Sequence, residues 1–99
     1  MNILFIGIGI VGQRHIRNIK SKFKHINFFT LKGNYSKILY GDKKILKGDP
    51  IIKHNIKVIS FEDIDRKFKI DAAFICLPHH LHSKFLKKLV DKKIHVFLE

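Results

Sequence analysis

Three glycines near the start of the chain have the spacing of a phosphate-binding turn. Gly7, Gly9 and Gly12 form a Gly-x-Gly-x-x-Gly pattern directly after the apolar run of residues 3–6. In dinucleotide-binding folds the first glycine permits a tight turn after a strand and the second lets the backbone approach a pyrophosphate. The third lets the following helix pack closely, and the free N–H groups of its first turn face the phosphates. The pattern predicts nucleotide binding, and the alternative is a merely structural glycine-rich turn.

A lysine occupies the position that commonly distinguishes NAD from NADP. In these folds an acidic residue about 20 positions beyond the glycines binds the ribose 2′-hydroxyl of NAD. This chain has Lys32 there, and no carboxylate lies between Phe23 and Tyr40. Because a cation suits a 2′-phosphate, we expect NADP to be favoured over NAD. The alternative is that Lys32 is one more solvated surface lysine.

Histidine and cysteine residues raise the questions of metal binding and nucleophilic catalysis. His79, His80 and His82 cluster after Pro78, but residues so spaced at a helix start do not converge on one ion, and no other ligand type accompanies them. Cys76 lies inside an apolar run, which indicates a core position. A single cysteine forms no internal disulfide and points to a reducing compartment. We expect no metal site and a cytoplasmic protein.

Composition and charge describe one small globular domain with a basic surface. The chain has 99 residues, 45% of them hydrophobic, and a formal net charge of +12. The excess charge is nearly all lysine and is spread over the exposed stretches, without the arginine forks and exposed aromatic rings that read and stack bases. We therefore expect no nucleic-acid partner, although the positive field attracts anionic ligands. No apolar run approaches the roughly 18 residues that span a bilayer, so we expect no membrane partner.

Alternating strands and helices must position these residues. Five segments have the character of buried strands: 3–6, 25–31, 57–60, 71–77 and 94–98. Helical segments separate them, and no hairpin turns are expected. This alternation predicts an α/β fold with a Rossmann-type parallel sheet of about five strands in the order 3-2-1-4-5, with helices on both faces.

Apolar stripes define the predicted helices. The first stripe consists of Gly12, Ile16, Ile19 and Phe23. The last consists of Leu81, Phe85, Leu86, Leu89 and Val90. A short helix is predicted over 61–68, with Ser60 as its N-cap. Residues 33–55 fit either one short helix or a long loop.

Three separated motifs resemble the glucose–fructose oxidoreductase, inositol dehydrogenase and rhizopine-catabolism (Gfo/Idh/MocA) family. The motifs lie at residues 7–19, 71–82 and 93–99, so the resemblance covers the whole chain. It implies an NAD(P)-binding Rossmann domain followed by a larger substrate domain. Members of the family mostly oxidise or reduce a CH–OH carbon of a sugar or cyclitol by hydride transfer at the nicotinamide.

The resemblance also implies which residues contact the cofactor. The pyrophosphate would be held by Gly7, Gly9 and Gly12, with the backbone of Ile10 and Val11. Leu77 and Pro78 would line the cofactor groove, and His82 matches a family histidine near the cofactor. Glu99 matches the glutamate of a Glu-Lys-Pro motif beside the nicotinamide ribose.

The sequence departs from the family where catalysis would begin. The family's catalytic lysine follows that glutamate, whereas this chain ends at Glu99. We therefore expect residues 1–99 to be the dinucleotide-binding domain without a C-terminal substrate domain, to hold no catalytic residue and to turn over nothing alone. A sugar-type substrate would need the missing domain. The last strand would leave an apolar edge that favours self-association.

Two other functions stay open at this stage. One is a self-contained, non-catalytic nucleotide-binding module. The other, which the lysine distribution favours less, is a basic nucleic-acid-binding protein.

Overall fold

The computed structural model describes residues 1–33 and 35–99. The strands in chain order are β1 (Asn2–Ile6), β2 (Asn27–Leu31), β3 (Leu39–Gly41), β4 (Lys44–Leu46), β5 (Ile56–Ile59), β6 (Ala72–Ile75) and β7 (His95–Leu98). The α-helices are α1 (Ile10–Lys22), α2 (Pro50–Lys53) and α3 (His82–Val90). Within the described chain, no helix combines the length and the apolar character that crossing a bilayer requires.

Five strands form one parallel sheet in the order β5-β2-β1-β6-β7. Counting only these five strands, the order is 3-2-1-4-5, so the predicted α/β fold and strand order are confirmed. The order reverses between β1 and β6, which are neighbours at the centre of the sheet. Parallel sheets of this kind bind ligands at the carboxyl ends of the strands, where the order reverses.

The central strand β1 is buried on both faces. Leu4 and Ile6 belong to the apolar cluster that contains Phe85 and Leu89 of α3. Ile3 and Phe5 belong to the cluster on the other face, which contains Ile16 of α1. Because successive side chains of a strand point to opposite faces, both sets must be apolar. This arrangement explains the continuous apolar run that precedes the glycine turn.

The expectation of no hairpin is wrong. β3 and β4 form an antiparallel hairpin in which Tyr40 pairs with Ile45. Each strand has three residues and β4 is exposed throughout, so neither strand shows an alternating pattern. Of the two alternatives left open for residues 33–55, the structure has the short helix, α2, where the side chain of Asp49 accepts a hydrogen bond of 2.8 Å from the N–H of Ile51.

Two residues of the predicted stripes do not pack against the sheet. α1 ends at Lys22, and Phe23 has an extended backbone and a side chain that is 61% exposed. Val90, the last residue of α3, is 56% exposed. Phe23 lies just past the end of α1 and Val90 is the last residue of α3, so neither side chain is held against the sheet by the helix. The apolar spacing therefore continues past the last residue that packs.

The predicted helix over 61–68 is reduced to a 3₁₀ turn at Phe61–Asp63. Ser60 is its N-cap residue, as predicted, and its backbone N–H donates to the Asp63 carboxylate at 3.0 Å. Asp65 has a φ of 71°, in the left-handed region. The turn already ends at Ile64, whose backbone is extended with a ψ of 128°, and the left-handed Asp65 keeps a right-handed helix from resuming.

Candidate functional site

Two of the three motif glycines are required by the packing of the chain itself. Gly7 leaves β1 with a φ of 96°, and an added Cβ would lie 2.6 Å from the carbonyl oxygen of Cys76. A Cβ on Gly12 would lie 2.5 Å from the carbonyl oxygen of Gly7. Both contacts are far shorter than van der Waals distance and are made with backbone atoms. The tight turn and the close approach of α1 therefore depend on these two glycines.

Gly9 has the opposite character. An added Cβ would meet no described atom within 4 Å, and its φ of −101° is open to other residues. Gly9 is the N-cap residue of α1, and within the described chain no side chain caps that end. The first turn begins with Ile10, Val11 and Gly12 and so carries no acidic residue. Open space thus lies in front of backbone N–H groups and the positive end of a helix dipole, which is suited to an anion.

The carboxyl end of β6 lies beside this turn. The N–H of Cys76 donates to the carbonyl oxygen of Ile6 at 2.8 Å, which joins the ends of the two central strands. Leu77 follows at once, and its side chain borders Gly7. Leu77 and the exposed Pro78 therefore lie where the strand order reverses. The structure places Leu77 against Gly7 of the glycine turn, and Pro78 follows it in the chain.

His82 is buried and forms a hydrogen bond to the turn that follows β6. Its Nε2 lies 2.6 Å from the carbonyl oxygen of Leu77 and must donate, since a carbonyl only accepts. The ring centroid lies 4.9 Å from that of His79. His82 begins α3, so this bond ties the start of the helix to the end of β6. The arrangement makes His82 a residue that positions the Leu77–Pro78 turn.

Glu99 lies next to α1. Its Oε1 is 3.0 Å from Nε2 of His15, and its backbone N–H donates to the carbonyl oxygen of Ile75 at 3.1 Å. The His15 ring in turn packs on Phe74, with centroids 5.2 Å apart. Glu99 therefore lies at the carboxyl end of the outer strand β7, next to the end of β6.

Lys32 directly follows β2 and lines a separate cavity of about 290 Å³. Lys84 and Lys88, one turn apart on α3, line the same cavity. Their Nζ atoms each lie 5.4 Å from an aromatic ring centroid, that of Phe85 for Lys84 and that of Phe61 for Lys88. Lys84 and Lys88 are not among the site residues that the sequence predicted. Their four-residue spacing was the one sign that they share a face.

The wall of this cavity also contains Glu62. Three lysines and one carboxylate therefore surround it among the described residues. The net charge of the wall is positive, which suits an anionic group.

Gln13 is a further site residue that sequence analysis missed. Its side chain is fully buried next to the glycine turn. The amide nitrogen donates to the carbonyl oxygens of Ile8 (3.2 Å) and Ile38 (2.8 Å), and the amide oxygen accepts from the N–H of Tyr40 at 2.8 Å. Arg17 adds a bond of 2.9 Å to the Tyr40 carbonyl oxygen. Gln13 thus joins the glycine turn to the β3–β4 hairpin, although no local pattern distinguishes it from a surface glutamine.

Replacing Gln13 with alanine should lower the free energy of unfolding by about 2 kcal/mol, because it removes the bonds from the buried amide to the Tyr40 N–H and to the carbonyl oxygens of Ile8 and Ile38. Amide hydrogen exchange at Tyr40 should accelerate at the same time. Urea denaturation and exchange measured by NMR test this result. The matched control is Arg14→Ala, an exposed change on the same helix, which should stay within about 0.5 kcal/mol of wild type. Equal losses in the two variants would contradict the bridging role.

Cys76 does not have the properties of a nucleophile. Burial, with a smaller contribution from Glu99, raises the pKa of its thiol to about 11. The thiol is therefore protonated at neutral pH, and only the thiolate reacts readily. Among the residues that the structure describes, no three His, Cys, Asp or Glu side chains gather as a metal site.

Comparison with known proteins agrees with this geometry. The model of the Gfo/Idh/MocA oxidoreductase family, NAD-binding Rossmann fold, matches residues 1–99. The chain is 28% identical over 98 residues to the uncharacterized oxidoreductase YrbE of Bacillus subtilis (strain 168), a match that covers 95% of this chain and 26% of that protein. It is 26% identical over 97 residues to biliverdin reductase A of Mus musculus, covering 98% of this chain and 29% of that protein. The chain thus spans between a quarter and a third of the length of these relatives, and no solved structure matches it significantly.

Proposed function

Because the chain belongs to the Gfo/Idh/MocA oxidoreductase family and matches its NAD-binding Rossmann domain, we propose that residues 1–99 bind a nicotinamide dinucleotide along the carboxyl edge of the parallel sheet. The observation that carries the proposal is the open backbone of Gly9 in front of the uncapped start of α1. Equilibrium titration of NADPH into the chain tests it. We expect one saturable site per chain, and titration without saturation would overturn the proposal.

The residues at this edge fit the parts of such a cofactor. Gly9 and the N–H groups of Ile10 and Val11 would hold the pyrophosphate, because they combine open space with unpaired helix-start donors. Leu77 and Pro78 would line the groove beside it. When bound, the nicotinamide supplies or accepts the hydride.

The residues beyond the glycine turn support the same placement. His82 fixes the Leu77 carbonyl by its 2.6 Å bond and so sets the shape of the groove wall. Glu99, held by His15, would stand beside the nicotinamide ribose. Both roles rest on the motifs at 71–82 and 93–99 together with these contacts.

We further propose that NADP is favoured over NAD. Lys32, Lys84 and Lys88 surround one cavity at the end of β2, the strand whose end commonly contacts the adenosine ribose. A 2′-phosphate would add negative charge at this place, and the lysines outnumber the one carboxylate in the wall, Glu62. A ribose with two free hydroxyls gains nothing comparable from these cations.

The double substitution Lys84→Gln with Lys88→Gln should weaken NADPH binding roughly fivefold, because each partly exposed charge contributes up to about 1 kcal/mol. NADH binding should change less than about twofold, since NADH lacks the 2′-phosphate. Calorimetric titration of both cofactors measures the difference. The matched control is Lys44→Gln with Lys87→Gln, which removes the same charge from positions that do not line the cavity. Equal losses for NADPH and NADH would contradict the proposed NADP preference.

We propose that the complete reaction interconverts a CH–OH group and a carbonyl group of a sugar or cyclitol. This substrate class rests on the motif resemblance, and the mouse relative is named for biliverdin instead. Hydride transfer needs the substrate carbon held against the nicotinamide and a group to move the proton. We assign no residue of this chain to either task, so we propose that the isolated chain binds cofactor without turnover.

Two further proposals concern the surroundings of the protein. β7 is an outer strand of the described sheet, with Phe97 and Leu98 about half exposed, which supports self-association through this edge. Sedimentation at increasing concentration tests it. The free thiol of Cys76, the one cysteine of the sequence, supports a cytoplasmic location.

A further inference from the structure

A second, larger cavity lies at the amino ends of the parallel strands, opposite the carboxyl ends where the cofactor is proposed to bind. It has a volume of about 910 Å³ and is bordered by Asn2, Asn27 and Ile56, the first residues of β1, β2 and β5. β1 has five residues, so the amino and carboxyl ends of the strands are about 16 Å apart at ~3.3 Å per residue. The cavity is therefore separate from the cofactor edge, and no part of the proposed function uses it.

Six cationic or titratable side chains from several elements line this cavity: Lys20, Lys24, His25, Lys53, His54 and Lys57. No acidic residue is among its described lining residues. Lys20 and Lys53 lie in the last turns of α1 and α2, where a helix dipole favours cations. That effect does not account for Lys24 or Lys57, which lie outside the two helices.

Aromatic rings lie among these cations. Phe23 and Phe68 line the cavity, and the Phe23 side chain is 61% exposed. The Nζ of Lys57 lies 4.8 Å from the centroid of the Phe68 ring. Such a wall offers both an apolar surface and positive charge to one ligand.

His54 adds a buried donor without an acceptor. Only 5% of the residue is exposed, and Nδ1 lies 3.3 Å from Nζ of Lys20. An ammonium group only donates, so Nδ1 accepts and the imidazole proton is on Nε2. That Nε2 is buried and has no hydrogen-bond partner among the described residues.

The charge state of His54 agrees with this assignment. Burial, together with Lys20, Arg17 and Lys53, lowers its pKa to about 4, so the ring is neutral at pH 7. Buried N–H donors are nearly always paired in folded proteins. His54 thus adds an unpaired N–H next to the cavity, while the lysines that line it supply the positive charge.

We propose that this cavity binds a small organic anion, a phosphorylated compound with a flat apolar group. The phosphate matches the lysines, and the apolar group matches the exposed Phe23. A nucleic acid fits less well, because the described lining contains no arginine and the exposed Phe23 offers a single stacking surface.

The proposal is tested by titrating 1-naphthyl phosphate into the ¹⁵N-labelled chain at saturating NADPH, followed by NMR. We expect saturable chemical-shift changes at the backbone amides of residues 23–27 and 53–57, and none at residues 7–12. Inorganic phosphate should bind about tenfold more weakly, the equivalent of ~1.4 kcal/mol. Shift changes confined to residues 7–12, or no saturable change, would overturn the site. Equal affinity for inorganic phosphate would overturn the ligand class.

Two variants and one competing ligand sharpen this test. Lys24→Gln with Lys57→Gln should weaken 1-naphthyl phosphate binding about fivefold and leave NADPH binding unchanged. Lys44→Gln with Lys87→Gln, which removes equal charge elsewhere, should leave both unchanged. Equal effects of the two double variants would mean that overall charge, and no built site, holds the ligand. Tighter binding of a single-stranded thymidine oligonucleotide at residues 23–27 and 53–57 would overturn the small-ligand assignment in favour of nucleic acid.

Discussion

Replacing Gly9 with valine should weaken NADPH binding at least about tenfold, or ~1.4 kcal/mol, while the free energy of unfolding falls by no more than about 1 kcal/mol, the usual cost of losing a favoured N-cap residue. The fold tolerates the change because an added Cβ meets no described atom within 4 Å. The cofactor does not tolerate it, because the new side chain would occupy the space through which a pyrophosphate approaches the first turn of α1. Calorimetric titration gives the affinity, and urea denaturation gives the stability.

Two further substitutions make the Gly9 result specific. Gly9→Ala adds the Cβ alone and should give a smaller loss of affinity than valine. Asn18→Val, at an exposed position of the same helix, should leave the affinity unchanged. Unchanged NADPH affinity in Gly9→Val would move the phosphate site away from this turn. A loss of stability as large as the one expected for Gly7→Ala would make Gly9 a packing residue like the other two glycines.

Replacing Gly7 with alanine should have the largest effect on stability, a loss of about 3–5 kcal/mol. Its φ of 96° is unfavourable for any residue with a Cβ. The Cβ would also lie 2.6 Å from the Cys76 carbonyl oxygen and 2.8 Å from Cδ2 of Leu77. The leucine side chain can rotate away, but the carbonyl belongs to the end of β6 and is held by the sheet. Small domains are stable by only about 5–15 kcal/mol, so such a loss is a large fraction of the total.

Gly33 offers a matched control for the Gly7 substitution. It has a φ of 79°, yet an added Cβ meets no described atom within 4 Å. Gly33→Ala should therefore show the backbone cost alone, about 1–2 kcal/mol. The difference between the two variants in urea denaturation measures the steric contact at Gly7. Equal losses at Gly7 and Gly33 would contradict the proposed clash with β6.

These substitutions separate two reasons for glycine within one motif. Gly7 and Gly12 are glycine because the chain's own backbone occupies the place of a Cβ. Gly9 is glycine although the chain leaves that place open. This difference supports the proposal that a ligand approaches the backbone closely at Gly9.

Much of the fold followed from local patterns. Strands buried on both faces must be apolar throughout, so the runs around Leu4 and Ala73 identified the central strands. Right-handed crossovers between parallel strands then left few possible orders. Helix ends were harder to predict, because apolar spacing continues through Phe23 and Val90 although neither packs. A hairpin with three-residue strands has no room to show a period, which is why β3 and β4 were missed.

Part of the candidate site could likewise be predicted from local patterns, and part could not. The glycine turn, the position of Leu77 and Pro78 at the carboxyl end of a strand, and the cation after β2 could be predicted from the sequence, because each depends on spacing along one segment. The shared cavity of Lys84, Lys88 and Lys32 is visible only in the folded chain. The same holds for the Gln13 bridge between the turn and the hairpin and for the open space at Gly9. These relations depend on distances between segments that are far apart along the chain, and side-chain pattern within one segment carries no information about them.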